Sequence, residues 1–282
     1  MSKALVLSGG GPIAVAWECG LIAGLAQSGC TLADADFILG TSAGAIVGAQ
    51  LAGGRDPVVM AEKIMAEADR PRGAGNGALH SAEAITKLPE LFAKSQSSEL
   101  GRIEVGAYAL ASSTPDDIAT YVQQMSSIID VDYWPETLGI VAVDIADGKP
   151  RILRQDCGAT LGTAVAASCC LPGLSPPVPI AGRLYMDGGM RSTANADLIA
   201  HFDTVFILGF HPPGPVGQRI MSRVTAQADT LTTGGMRVLV VAPDEACLEA
   251  IGANSRDFSR RPQIARTAIM QGGAIADRLA EH

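Results

Sequence analysis

The chain opens with a short apolar run, Lys3 to Leu7, followed at once by Ser8-Gly9-Gly10-Gly11-Pro12. An apolar run bounded by glycines predicts a buried strand and a tight turn. Apolar residues then recur at helical spacing from Ile13 to Gln27, with Gly29 just past the end, which predicts a helix. The alternation repeats. Phe37 to Leu39 reads as a strand, Gly40-Thr41-Ser42-Ala43-Gly44 as a turn, and Ala45 to Leu51 as a small-residue helix closed by Gly53-Gly54. Strand, turn and helix twice over are the opening of a parallel α/β sheet.

The pattern then changes. Asp56 to Ala68, Ser81 to Ala93 and Glu99 to Leu110 read as helices, with Arg70 to Gly77 a loop by composition. Thr114-Pro115-Asp116-Asp117 carries a cap, a proline and first-turn acid, the marks of a further helix start. Residues 55–130 thus predict helices without a strand, and no linker flanks them. They read as an insertion over the sheet rather than as a second domain. Strand signals return at Gly139 to Ile145, with an Asp147-Gly148 turn and a return strand at Arg151 to Leu153. Thr160 to Ser168 is a helix stopped by Pro172. Val178 to Ile180 and Arg183 to Met186 form a hairpin across Ala181-Gly182 that runs into Asp187-Gly188-Gly189. Asn195 is read as the cap of a short helix, Thr204 to Gly209 and Arg237 to Val241 as buried strands, and Arg260 to Leu279 as a closing amphipathic helix. The fold class expected is α/β: one domain over residues 1–282, with a central, largely parallel sheet flanked by helices.

Composition narrows the function. Lys and Arg number 21 against 29 Asp and Glu, a net charge of −8 with no basic run. Neutralisation of nucleic-acid phosphates is excluded as a mode of binding, and electrostatic docking on anionic membranes is disfavoured. Docking through an apolar patch, and so transient contact with a membrane or lipid surface, stays open, as does the oligomeric state. The first apolar run is too short for a signal peptide, and glycine and proline interrupt Ala159 to Leu174, the stretch nearest a spanning helix. The six cysteines form no C-x-x-C pair and read as reduced packing residues of a cytoplasmic protein. With aromatics at 4% and 32 glycines, the core must be built from small aliphatic residues in closely packed elements.

Gly40-Thr41-Ser42-Ala43-Gly44 fits G-x-S-x-G. Small residues flanking a serine between strand and helix permit a turn that lifts the hydroxyl to the helix N-terminus. At the first turn, consecutive glycines let backbone N–H groups converge on a phosphate or a developing oxyanion. Gly9-x-Gly11-x-x-Ala14 also fits a loose dinucleotide fingerprint, but the second strand ends in Gly40-Thr41-Ser42 rather than in the acid that would hold a ribose. An activated serine needs a base. The four histidines, His80, His201, His211 and His282, lie outside glycine-rich strand ends, although His201 or His211 could complete a Ser–Asp–His order. Asp187 has the better context: it ends an apolar strand, and Gly188-Gly189 permit close backbone approach. A carboxylate there can take the serine proton directly.

These residues together resemble the patatin-like phospholipase family. Ser8-Gly9-Gly10-Gly11, Gly40-Thr41-Ser42-Ala43-Gly44 and Asp187-Gly188-Gly189 occur in family order, and Ala167-Ser168-Cys169-Cys170-Leu171-Pro172-Gly173 is similar to its Ala-Ser-rich segment. The resemblance implies a serine acyl hydrolase of lipids or other apolar esters, with a helical insertion over the active site and neither metal nor cofactor. Ser42 would be the nucleophile, Asp187 the base, and Gly9, Gly10, Gly11 and Ala43 the oxyanion hole, with Gly40 and Gly44 shaping the elbow. Pro12, Ile13 and Ala14 depart from the family's Gly-Gly-Gly-x-Arg-Gly. Pro12 has no N–H, and the absent arginine removes a cation, so neutral esters are expected to be preferred over anionic ones. Arg183 or Arg191 could supply the charge from another direction. Residues 70–79 are expected to gate the acyl site. The rivals are a dinucleotide- or phosphate-binding protein and a catalytically silent regulatory member of the fold.

Overall fold

The computed structural model describes residues 1–69, 82–112, 118–254 and 257–281. The expected loop and gate over residues 70–79, the helix start at 114–117, and His80 and His282 lie outside the described residues.

The sheet has eight strands: β1 (Lys3–Leu7), β2 (Phe37–Thr41), β3 (Leu138–Asp144), β4 (Pro150–Leu153), β5 (Val178–Ile180), β6 (Arg183–Asp187), β7 (Thr204–Leu208) and β8 (Arg237–Val241). Their order is β5-β6-β3-β2-β1-β7-β8, with β4 paired to β3. β3, β2, β1, β7 and β8 run parallel, while β4, β5 and β6 add antiparallel pairings. The largely parallel α/β sheet expected from the sequence is therefore present. Alternation along β1 explains its two-sided burial. Leu5 and Leu7 enter one core with Trp17, Leu21 and Ile140, while Ala4 and Val6 enter the other with Val205, Ile207 and Val224.

Helices cover both faces. α1 (Gly11–Gln27), α2 (Ala43–Ala52), α7 (Leu161–Cys169), α9 (Glu245–Ile251) and α10 (Arg261–Ala280) contribute to the first core, and α8 (Pro215–Thr233) to the second. Among the described residues between α2 and β3 there are only helices: α3 (Pro57–Met65), α4 (Ala82–Ser95), α5 (Glu99–Ala111) and α6 (Ile118–Ile129), besides a short 3-10 turn. Leu91 of α4 and Val105 of α5 pack with Met186 and Met190, beside the Asp187 segment. Side-chain caps start several helices. Asp56 accepts Val58 N–H before α3, Ser98 accepts Gly101 N–H before α5, and Thr160 accepts Thr163 N–H before α7.

Some readings change, and α9 also lies in a stretch to which the hydrophobic spacing gives no element. The periodicity assigned nothing between residues 210 and 236, yet α8 fills much of that stretch. Its buried stripe is thin, formed by Val224, Ala228 and Leu231 with Gly217, so little apolar signal marks it. Asn195 does precede a 3-10 turn, but its side chain does not cap it and is directed elsewhere. The expected close packing occurs where α1 crosses α10. A methyl group on Gly20, Gly24 or Gly272 would collide with the backbone of the opposing helix.

Candidate active site

The register of β3 brings two strand ends together. Val141 is the partner of Thr41, and the next residue, Ala142, is the partner of Asp187. The residue after Thr41 is Ser42, which caps α2 with φ 53° and ψ −113°, a conformation that L-residues adopt only under strain. The flanking glycines make the turn physically permissible. A Cβ on Gly40 would lie 2.5 Å from Gly44 O, and one on Gly44 would collide with Leu7 of β1.

Ser42 Oγ donates a hydrogen bond of 2.8 Å to Asp187 Oδ2. Asp187 Oδ1 accepts Gly189 N–H at 2.7 Å, so both carboxyl oxygens are engaged. Asp187 is 1% exposed. Burial pushes its carboxyl up to about 7, against the opposing pull of the Gly189 and Ser42 hydrogen bonds. The group is thus poised near neutrality, where it can exchange a proton.

Other side chains fix the elbow itself. Ser168 Oγ accepts Ser42 N–H at 2.8 Å and donates to Val141 O at 2.6 Å. The Cys169 thiol donates to Ser42 O at 3.3 Å, and burial beside Asp187 pushes it far above its ordinary value, so it remains a thiol. These roles were not anticipated. Ser168 and Cys169 stood only within an Ala-Ser-rich stretch, and nothing in their spacing says which backbone they meet.

The glycine turn lies beside Ser42. A Cβ on Gly9 would sit 3.2 Å from Ser42 Cβ, so glycine keeps the approach open. Gly9 N–H is donated to Thr193 O at 2.8 Å, which corrects the expectation that Gly9 is an oxyanion donor; its contribution is space. Gly44 N–H is likewise taken, by Ser8 O at 3.1 Å. The N–H groups of Gly10, Gly11 and Ala43 have no acceptor among the described residues, and Gly11 and Ala43 stand at the first positions of α1 and α2. Gly10 must be glycine because a methyl group there would collide with the Phe210 ring and Ala14; Gly11 has φ +69°.

Ile13, where the family pattern has arginine, is wholly buried in the core and so presents no surface to a substrate. Arg183 is paired with Asp144, and Arg191 with Asp197, so each guanidinium has a carboxylate partner in the structure. Neither His201 nor His211 is hydrogen bonded to Ser42 or Asp187. His201 precedes β7, a strand length from the Ser8 and Ser42 end at about 3.3 Å per residue. His211 turns its Nδ1 toward Pro212 O at 3.0 Å.

Among the described residues no helix is long and apolar enough to cross a membrane. No curated protein matches the chain in sequence. Among solved structures it is similar to VipD from Legionella pneumophila, with 14% identity and a TM-score of 0.48 over 98% of this chain and 67% of that one. It is also similar to ExoU of Pseudomonas aeruginosa, in its complex with SpcU, with 17% identity and a TM-score of 0.42 over 100% of this chain. The chain spans about half of ExoU, 53% of its length. The model of the family described as patatin-like phospholipase matches residues 5–200, a stretch that contains the glycine turn, the Ser42 elbow and the Asp187 strand end. On that match the chain belongs to the patatin-like phospholipase family.

Proposed function

We propose that this protein is a serine acyl hydrolase that cleaves acyl esters of lipids, working as one domain with a Ser42–Asp187 dyad. The observation that carries the reading is the 2.8 Å hydrogen bond from Ser42 Oγ to a buried carboxylate held near neutrality. Family membership supports the substrate class.

In the first step Ser42 Oγ attacks the ester carbonyl carbon as its proton passes to Asp187 Oδ2. The carbonyl oxygen becomes an oxyanion beside Gly10, Gly11 and Ala43, whose N–H groups are preorganised to receive it. Collapse of the tetrahedral intermediate breaks the bond to the alcohol, and protonated Asp187 returns a proton to that leaving oxygen. Water then attacks the acyl-serine carbonyl as Asp187 takes its proton; collapse of the second tetrahedral intermediate breaks the bond to Ser42 Oγ, which takes the proton back from Asp187 as the fatty acid leaves. Pro12 supplies no donor, but it sits at the start of α1, where a proline fits.

A fluorophosphonate probe tests the assignment. Wild type is expected to be labelled at Ser42, Ser42→Ala to be silent, and Asp187→Asn to be labelled much more slowly. Each single substitution should abolish ester hydrolysis, and the double variant should be no worse, because nucleophile and base act as a unit. Wild-type turnover in folded Asp187→Asn would remove the dyad. Absence of any labelling would favour a binding or regulatory role.

A further inference from the structure

The segment that follows Asp187 touches every part of the site. Thr193 O accepts Gly9 N–H from the glycine turn. Asn195 Nδ2 lies 3.2 Å from Thr41 Oγ1, 3.2 Å from Gly188 O and 2.6 Å from Ser192 O. Thr41 immediately precedes Ser42, and Gly188 immediately follows Asp187. One amide group therefore bridges the two strand ends, its two hydrogens shared among three acceptors.

The rest of Asn195 is equally committed. Its Oδ1 accepts from Arg191 Nη1 at 2.9 Å, and its N–H donates to Ser192 Oγ at 3.2 Å. The residue is 0% exposed and left-handed, with φ 52°, a conformation that asparagine tolerates better than most residues. Gln227 of α8 anchors the segment from behind, donating to Asp197 Oδ1 at 2.6 Å and accepting Ala196 N–H at 3.1 Å. An asparagine serving only its own turn would have no reason to reach Thr41, which is far away in the chain.

We propose that Asn195 is a positioning residue that holds the elbow and the Asp187 strand end in register, and so sets the distance from Ser42 Oγ to Asp187 Oδ2. The inference rests on the reading of that pair as nucleophile and base. Proton transfer requires the two oxygens within roughly 2.6–3.2 Å, and a displacement of about 1 Å costs on the order of 10² in rate. Asn195 touches neither oxygen and acts through the backbone on either side of them.

The test compares Asn195→Gly, Thr41→Val and Thr41→Ser in the full chain. Glycine removes the amide while leaving φ 52° accessible, so backbone strain does not confound the result. Valine removes one acceptor at nearly constant volume, and serine retains it. The readouts are kcat and KM for a p-nitrophenyl ester and the rate of fluorophosphonate labelling at Ser42, in proteins shown to be folded by near-UV circular dichroism. Asn195→Gly is expected to lower kcat by roughly 10–100-fold with KM within about twofold, labelling slowing in parallel. Thr41→Val should lose less, add little to Asn195→Gly, and be rescued by Thr41→Ser. A purely structural role would lower Tm and leave kcat per folded molecule unchanged; that result in folded Asn195→Gly overturns the proposal. If Asn195→Gly fails to fold, unaltered kcat in Thr41→Val overturns it instead. Failure of wild type to label at Ser42 would overturn the hydrolase reading itself, before any variant is compared.

Discussion

At the scale of single residues, Asp187 carries opposed demands of stability and chemistry. Its carboxyl has an ordinary value of 3.8 and is raised to about 7 by burial. Well below pH 3.8 it is neutral both folded and unfolded, and burial carries no ionisation penalty. As pH rises toward 7 the unfolded chain releases the proton while the folded chain retains it, so stability falls by up to about 4 kcal/mol. Asp187→Asn should therefore gain stability over wild type at pH 7.5 and much less at pH 4, while losing turnover. Thermal melts at both pH values check this, and equal Tm gaps would refute it. The catalytic counterpart is that kcat/KM of wild type should fall as pH drops below about 7, where the base becomes protonated. Gly10 and Gly11 of the turn should separate in the same manner. Gly10→Ala meets the Phe210 ring and should lose both stability and turnover. Gly11→Ala has open space but φ +69°, and should lose roughly 1–2 kcal/mol through strain, with turnover reduced by any displacement of its N–H.

At the scale of elements, α1 links the glycine turn to the rest of the core. It crosses α10 so closely that Gly24→Ala would collide with the backbone of Ile269. Overpacking of this kind costs typically 1–3 kcal/mol, and a Tm unchanged in Gly24→Ala would show that α10 can move away freely. The same helix carries Glu18, 0% exposed, with neither carboxyl oxygen hydrogen bonded to any described residue. Burial pushes this carboxyl far above its ordinary value of 4.5; the Ser8 amide opposes this, though its hydrogen bond goes to Leu208 O. Glu18 thus destabilises the fold progressively as pH rises above the unfolded value. Glu18→Met should raise stability by about 1–3 kcal/mol at pH 8 through removal of unsatisfied oxygens, with a smaller gain at pH 4. Denaturant titrations at the two pH values decide it; a destabilised variant would mean that the carboxyl has a partner in solution.

At the scale of the whole molecule, charge bears on substrate choice. The chain carries −8, and the arginines near the site are engaged. Arg191 pairs with Asp197, and Arg261 reaches Pro12 O at 3.1 Å while paired with Glu67. Neutral acyl esters should therefore be cleaved with higher kcat/KM than anionic phospholipids of the same acyl chain, with the gap narrowing at high salt. A preference for the anionic ester, weakened by salt, would refute this. It would direct attention to Arg223, which is held by Gln96 Oε1 at 2.7 Å, next to the Gly189 carbonyl that Gln96 also binds.

Much of this architecture was legible in the chain itself. The runs at Lys3 to Leu7 and Phe37 to Leu39, each running into a glycine-rich turn, determine strand, turn and helix: at the elbow only glycine fits so close a return of backbone on backbone, and at the first turn Gly10 leaves room for the Phe210 ring. The motifs around Ser42 and Asp187 were legible for the same local reason. The rest depended on long-range register. β3 pairs with β2 and β6 on successive residues, and that pairing brings the Ser42 and Asp187 strand ends side by side. α8 escaped because a thin buried stripe leaves little periodicity. Asn195 read as a cap because local pattern knows only near neighbours, whereas its amide is held by Thr41 across the sheet. Hydrophobic spacing and glycine sterics act over a few residues and can be read from sequence. Hydrogen bonds between distant segments exist only once the strands are in register, and that register was decided by the tertiary structure.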